Sequence, residues 1–326
     1  MQVKRSAKGT PFLLVILLKK LYNAKGKLRH KTGERSMGKW LWLLLIIVCV
    51  LVVIEWIREI HTFRITHYEI YSPKLQDIEK RKVILLSDLH NCSYGKKNEK
   101  LLKAIQMEHP DMILVAGDML VGKEGGSLDI AKEFVEKLPA ICDTYYANGN
   151  HEQRMKSYSE ICQRDFEAYK VSLIKAGVHY LENQKDESVW GACDVEIHGL
   201  EIPDSAYKKF QKVFLPENYM ETCLGKADPS KYQILIAHNP IFMQDYLEWG
   251  ADLIVSGHLH GGVARVPFWR GVITPQGGLF PKYSGELTKE GDASVVVSKG
   301  IGIHTIKVRF LNPAEIVVLH VGGTEE

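Results

Sequence analysis

Short apolar runs alternate with amphipathic stretches through the middle of the 326-residue chain. Five runs are continuous enough to predict buried strands, at Lys82–Asp88, Asp111–Asp118, Thr144–Asn150, Tyr232–His238 and Ala251–His258. Helical spacing of apolar residues separates the first three, over Asn98–Glu108 and in a stretch that ends at Leu138, and it returns over Tyr158–Ala176. Strands that alternate with helices predict an α/β fold.

The pattern changes after residue 178, where short β-like segments become frequent. They are expected at 178–181 and 195–199, and alternating segments follow at 302–310 and 315–321. No internal repeat or low-complexity tract divides this region, so we expect one catalytic-sized domain over residues 81–322. Residues 58–80 are predicted to be a polar, partly extended connector.

A single long apolar segment precedes the connector, from Trp40 to Ile57. Eighteen residues of helix span roughly 27 Å, about the thickness of a bilayer core. Trp40, Trp42 and Trp56 lie near its two ends, where indole rings favour the membrane interface. A buried core helix or a cleaved signal sequence would give a similar run, but basic residues crowd before this one and no small-residue cleavage site follows it. Residues 40–57 are therefore predicted to be a retained transmembrane anchor.

The charges are distributed unevenly. Residues 1–39 hold eleven Lys/Arg and one Glu, whereas the remainder has a net charge of −7. An acidic body makes nucleic acid an unlikely partner. The positive-inside rule predicts a basic cytoplasmic tail over 1–39 and a single-pass protein of the cell membrane with its catalytic domain outside the cytoplasm. Met37 is an alternative start, which would make residues 1–36 an extension that is not translated.

Polar side chains follow every one of the five predicted strands. In chain order they are Asp88, His90, Asp118, Asn150, His151, His238, His258 and His260. The carboxyl ends of parallel strands meet at one edge of a sheet, so we expect these residues to converge. Aspartate and histidine without thiolates suit divalent Zn, Mn or Fe, and a shared carboxylate can bridge two such cations for displacement at phosphorus. Glycines at 257, 261 and 262 would let the backbone of the His258–His260 turn approach the metals.

The ordered blocks D-x-H, G-D, G-N-H-E, H and G-H-x-H, over about residues 80–270, resemble the calcineurin-like metallophosphoesterase superfamily. With the apolar anchor they look most like the bacterial membrane-associated phosphoesterases of the YkuE and YaeI type. The resemblance implies a two-sheet sandwich flanked by helices, here with an N-terminal transmembrane helix. The chain departs from the family pattern at two positions. Cys92 follows the first block closely enough to make the site oxidant-sensitive, and Val263 stands where the family has a residue such as Gln.

Carried onto this chain, the resemblance implies a role for each site residue. The first metal would be bound by Asp88, His90 and His260, the second by Asn150, His238 and His258, and Asp118 would bridge them. His151 would contact the phosphate and act as general acid.

The expected function is hydrolysis of a phosphate ester by in-line attack of a metal hydroxide, with phosphodiesters and lipid-linked or envelope phosphates as the expected substrates. The alternative is a non-catalytic, membrane-tethered scaffold of the same fold, and a nuclease is a third option. The six cysteines have irregular spacing, which predicts mostly free thiols.

Overall fold

A computed structural model of the chain describes residues 35–207, 213–262, 281–303, 309 and 312–323. The predicted basic tail up to residue 34, Val263 and most of the predicted strand at 302–310 lie outside these residues. The chain divides into two compact units, with the boundary along the sequence between Ile54 and Glu55.

The first unit consists of most of helix α1, which runs from Arg35 to His61. Its segment Gly38–His61 is 24 residues long and apolar enough to cross a membrane. Large aliphatic side chains such as Leu44 and Ile54 are exposed along it, as on a helix that faces lipid. The predicted apolar segment at 40–57 lies entirely within this helix.

The second unit is built on two six-stranded mixed sheets. The first sheet has the order β1-β12-β2-β3-β4-β5 and the second has the order β10-β11-β9-β8-β7-β6. In chain order the strands are Phe63–Tyr71 (β1), Arg81–Leu86 (β2), Met112–Ala116 (β3), Asp143–Ala147 (β4), His179–Leu181 (β5), Gln184–Trp190 (β6), Cys193–Leu200 (β7), Tyr232–Ala237 (β8), Leu253–Ser256 (β9), Leu287–Glu290 (β10), Ala293–Val297 (β11) and Ala314–Gly322 (β12).

Helices cover the outer faces of both sheets. Their bounds are Glu99–Glu108 (α2), Asp129–Val135 (α3), Asn150–Ser157 (α4), Glu160–Lys175 (α5), Tyr219–Leu224 (α6) and Met243–Trp249 (α7). The apolar core therefore has three layers. Residues such as Leu85 and Ile234 fill the space between the sheets, Phe134 packs under the helices of the first sheet, and Tyr246 packs under those of the second.

This architecture confirms the predicted two-sheet sandwich flanked by helices. The central strands are almost wholly apolar because both of their faces are covered. β2 to β5 are parallel in the first sheet, and β7, β8, β9 and β11 are parallel in the second. β1 lies within the segment predicted to be a connector and pairs in parallel with β12.

Candidate metal centre

The predicted site residues lie at the carboxyl ends of strands from both sheets. β2, β3 and β4 of the first sheet lead into Asp88, His90, Asp118, Asn150 and His151. β8 and β9 of the second sheet lead into His238, His258 and His260. Three overlapping groups of these side chains have ligand atoms within 4.8 Å of one another: Asp88 with His90 and His260, His90 with Asp118 and His151, and Asp118 with His238 and His258.

The first group is centred on Asp88, which is fully buried. The Nε2 atoms of His90 and His260 each lie 3.6 Å from Asp88 Oδ1 and 3.2 Å from each other. Ligands of one tetrahedral cation bound at 2.0–2.1 Å are separated by roughly 3.3 Å. The spacing of these three atoms therefore fits the ligands of a single cation.

The second group is centred on Asp118, which lies at the end of β3. His238 Nε2 is 3.2 Å from Asp118 Oδ2, and the opposite ring nitrogen, Nδ1, donates a 2.6 Å hydrogen bond to the carbonyl of Ala116. A neutral histidine that donates from Nδ1 has its Nε2 lone pair available for a metal. The His258 ring packs edge-on against His238, with centroids 5.1 Å apart.

Asp118 lies close to the ligand atoms of both groups. Its Oδ2 atom is also 3.9 Å from His90 Nε2, while His238 Nε2 is 4.0 Å from Asp88 Oδ1. The two groups are thus adjacent rather than separate, and one carboxylate stands between them.

Asn150 and His151 begin helix α4, one residue after the helix-capping Gly149. The backbone N–H of His151 donates to Asp118 Oδ1 at 2.8 Å, and its Nδ1 accepts the N–H of Gly122 at 2.9 Å. An imidazole that accepts at Nδ1 bears its proton at Nε2 when neutral. Within the part of the chain that the structure describes, the buried Oδ1 of Asn150 has no hydrogen-bond partner.

The backbone of the site is strained at several non-glycine residues. Positive φ angles occur at Asp88, His90, Asp118, His258 and His260, with values of 54°, 47°, 55°, 68° and 50°. Such angles are uncommon for side chains other than glycine, and they cluster at functional sites where the surrounding structure maintains them. Gly257 is required for close approach, because a Cβ there would collide with the Asp88 carboxylate.

Hydrogen bonds from the backbone join the strand ends to one another. Asp88 N–H donates to Gly117 O at 3.0 Å, and His90 N–H donates to Asp118 O at 3.0 Å. The N–H of His258 donates to both Asp88 carboxylate oxygens, at 3.2 and 3.1 Å. The loops of the two sheets therefore position each other's ligands.

Glu152 holds the backbone of the site through hydrogen bonds. It belongs to the G-N-H-E block, but the sequence alone did not indicate a role for it. Its buried carboxylate accepts the backbone N–H groups of Asp118, Met119 and Gly149 and the hydroxyl of Tyr146, at 2.7–3.0 Å. Burial, together with the charge of Asp118, raises the pKa of Glu152 to about 7.

The electrostatics of the two aspartates favour their ionised forms. Burial alone would raise the pKa of Asp88, yet the imidazoles of His260, His90 and His238 hold it below its usual value. The pKa of Asp118 is likewise low, because His238, His151 and His90 outweigh its burial. Burial alone would lower the pKa of His238, but the charge of Asp118 and its hydrogen bond raise that pKa to about 10.

His258 behaves differently from His238. Burial, reinforced by the neighbouring His238, lowers the pKa of His258 to about 3. The ring is therefore neutral at physiological pH, which is the form that binds a metal.

Three further residues contact the site without a sequence signal that indicated them. The Tyr207 ring packs on His258 with centroids 5.3 Å apart. Asn312 donates to the carbonyl of His260, and the buried Arg309 donates to carbonyls of the adjoining loop. Cys92, which the sequence places near the site, accepts the N–H of Ile303 at 3.3 Å.

The donor set fits divalent cations. It combines carboxylate oxygens, imidazole nitrogens and one buried amide oxygen that has no hydrogen-bond partner among the described residues. Mixed nitrogen and oxygen donors suit borderline divalent metals. All six cysteines are free, and among the described residues none belongs to the groups of potential ligands.

A two-sheet sandwich with Asp and His clustered at the strand ends defines a metal-dependent phosphoesterase fold. The sequence profile described as "Calcineurin-like phosphoesterase" matches residues 81–262, and the chain belongs to this family. Members of the family use divalent metals and hydrolyse phosphate esters, so the chain is a hydrolase of this class.

Curated relatives agree with this assignment. An uncharacterized metallophosphoesterase of Aquifex aeolicus is 27% identical over 81% of this chain and 94% of its own length. The uncharacterized metallophosphoesterase YkuE of Bacillus subtilis is 25% identical over 82% of this chain and 88% of its own. The phosphodiesterase YaeI of Escherichia coli is 21% identical over 68% of this chain and 75% of its own.

Proposed function

We propose that this chain is a membrane-anchored phosphodiesterase with a dinuclear metal centre. The observation that supports this best is the convergence of the Asp88 and Asp118 groups, whose ligand atoms are spaced like those of coordinated cations. The name of the Escherichia coli relative favours phosphodiesters over monoesters.

In this proposal Asp88, His90 and His260 bind the first metal, and Asn150, His238 and His258 bind the second. Asp118 bridges both, an assignment supported by the closeness of its Oδ2 to His238 and His90. Two divalent cations bound there would act as Lewis acids on the phosphoryl oxygens and would generate a nucleophile at neutral pH. The candidate cations are Mn, Zn and Fe, which mixed nitrogen and oxygen donors suit.

His151 donates a hydrogen bond from Nε2 to the phosphate or to the departing ester oxygen. Its ring orientation is maintained by the Gly122 N–H at Nδ1, and its backbone by Asp118. A donor that is already oriented stabilises developing charge without reorganisation during the reaction. This role as phosphate contact and proton donor is the one implied by the G-N-H-E block.

The apolar helix α1 is proposed to anchor the enzyme in the cell membrane, with the basic tail in the cytoplasm and the hydrolase domain outside. The length and composition of Gly38–His61 support a span, and the basic residues before it support the orientation. A tether raises the local concentration of membrane-bound substrates, which favours lipid-linked or envelope phosphates.

The activity is tested with the full-length chain in detergent, against matched phosphomonoesters and phosphodiesters, with Mn, Zn and Fe supplied in turn. We expect metal-dependent turnover of diesters that is lost in Asp118→Ala and retained in His67→Ala, a change of an exposed histidine outside the site. Metal binding without turnover of any ester would instead favour the non-catalytic scaffold.

The orientation is tested separately, by protease treatment of intact cells or protoplasts. We expect digestion of the hydrolase domain from outside. Full protection until the cells are lysed would place the domain in the cytoplasm and contradict the charge argument.

A further inference from the structure

The last turn of helix α1 contributes a buried carboxylate to the hydrolase unit. Glu59 is only 1% exposed, and its Oε1 accepts the backbone N–H of Asn312 at 3.0 Å. Residues from Glu55 onward belong to the same compact unit as the sandwich, so this contact is internal to that unit.

Asn312 connects this carboxylate to the metal-binding turn. Its side chain is 1% exposed, and Nδ2 donates to the carbonyls of His260 at 2.6 Å and Gly262 at 3.0 Å. The turn between these residues is tight, with Gly262 N–H donating to Leu259 O at 2.7 Å. Because His260 has a positive φ, the turn depends on such contacts to retain its conformation.

Arg309 extends the same support to Asp88. Its guanidinium is buried and donates to the carbonyls of Asn312, Lys299, Gly300 and Gly302, at 2.8–3.2 Å. The N–H of Gly302 in turn donates to Asp88 O at 2.6 Å. Asp88 and His260, both in the first metal group, are therefore supported by one buried network.

We propose that Glu59 and Asn312 are positioning residues for the first metal position, so that the end of the apolar helix is part of the metal centre's support. This rests on the proposed dinuclear site. Glu59, Arg309 and Asn312 all lie outside residues 81–262, the region that the family profile matches. The link thus joins segments on both sides of the matched region to the metal-binding turn inside it.

The network should act on one metal position more than on the other. It reaches the first group through His260 O and Asp88 O. In the second group, His238 is oriented by Ala116 and Asp118 by Glu152, and neither partner belongs to the network. His258 is connected to the network only indirectly, through its N–H on the Asp88 carboxylate. Loss of an outer partner that orients a metal ligand lowers metal affinity about 10–100-fold.

The test measures both metal affinities of the full-length chain in detergent, by chelator-buffered titration with Zn and Mn. We expect Glu59→Ala to weaken one of the two positions about 10–100-fold and to leave the other within about twofold. Glu59→Gln should restore the wild-type affinity, because its amide oxygen still accepts the Asn312 N–H. Asn312→Asp should behave like Glu59→Ala, since it replaces the donor with a carboxylate facing two carbonyls.

Glu196→Ala is the matched control, because it also removes a buried, hydrogen-bonded carboxylate, one that pairs with Lys185 and Lys231 away from the metal groups. It should lower the unfolding temperature and leave both metal affinities unchanged. Unchanged affinities in Glu59→Ala, equal losses at both positions, or failure of Glu59→Gln to restore binding would overturn the link. A wild-type chain that binds no metal would overturn the proposed function and the link together.

Discussion

Replacing His151 with alanine separates catalysis from metal binding. Asp118 accepts a hydrogen bond from the backbone N–H of His151, which the substitution leaves in place. The metals should therefore stay bound. The imidazole itself is lost, and with it a proton donor worth about 10²–10⁴ in turnover, or about 3–5 kcal/mol of transition-state stabilisation.

The same change has a second, smaller effect on folding. The Gly122 N–H donates to His151 Nδ1 inside the protein, and alanine offers it no acceptor. A buried donor left without a partner costs about 1–3 kcal/mol. We therefore expect a modest fall in the free energy of unfolding that accompanies the fall in turnover.

The assay combines kcat on a chromogenic phosphodiester with metal content by elemental analysis of the same preparation. His151→Gln is the matched variant, since its amide can donate a hydrogen bond but cannot give up a proton under these conditions. Partial recovery of kcat in His151→Gln would indicate that binding the phosphate is part of the role. Loss of the metals in His151→Ala, or unchanged turnover, would refute the reasoning.

Three further changes test other parts of the structure. Asp118→Ala should abolish turnover and lower metal content at both positions, and loss of only one metal would argue against a bridging carboxylate. Burial opposes ionisation of Glu196, but its lysine partners lower its pKa to about 2, below the unfolded value of about 4.3. The ionised Glu196 therefore stabilises the folded state by about 1–2 kcal/mol, after allowance for the partly exposed lysines. This contribution is present above pH ~4.3 and is lost as the pH falls toward 2. Urea unfolding of wild type and Glu196→Gln should accordingly differ at pH 7 and converge near pH 2. A difference that persisted at low pH would contradict this assignment. A chain that begins at Glu55 should bind metal more tightly than one that begins at His61, because only the first retains Glu59, and equal affinities would count against its positioning role.

The convergence of the site residues was predictable, because the carboxyl ends of parallel strands meet at one edge of a sheet and every motif block follows a strand. Each apolar run is short and buried, and polar residues that closely follow it, such as Asp88 or His238, fall at the carboxyl edge. The two-sheet arrangement could be predicted only from the family resemblance. Periodicity identifies strands, but it does not say which strands pair.

The supporting residues were not predictable in the same way. Asn312 meets His260 across 52 residues of sequence, and Glu59 meets Asn312 across 253. A hydrogen bond between a side chain and a distant backbone group leaves no local pattern of spacing or hydropathy. Glu152 is the exception, since a Glu three residues after a helix N-cap is the second half of a capping box.

The pairing of β1 with β12 has a consequence for synthesis. Phe63 aligns with Ala314, and β12 also pairs with β2, so β12 inserts between two strands that are made much earlier. While the ribosome is still producing the region before Ala314, β1 has no partner in the first sheet and β2 exposes an open edge. Open edges invite pairing with other chains, and closures between such distant segments are slow. A nascent chain therefore remains vulnerable to aggregation until Ala314–Gly322 has emerged.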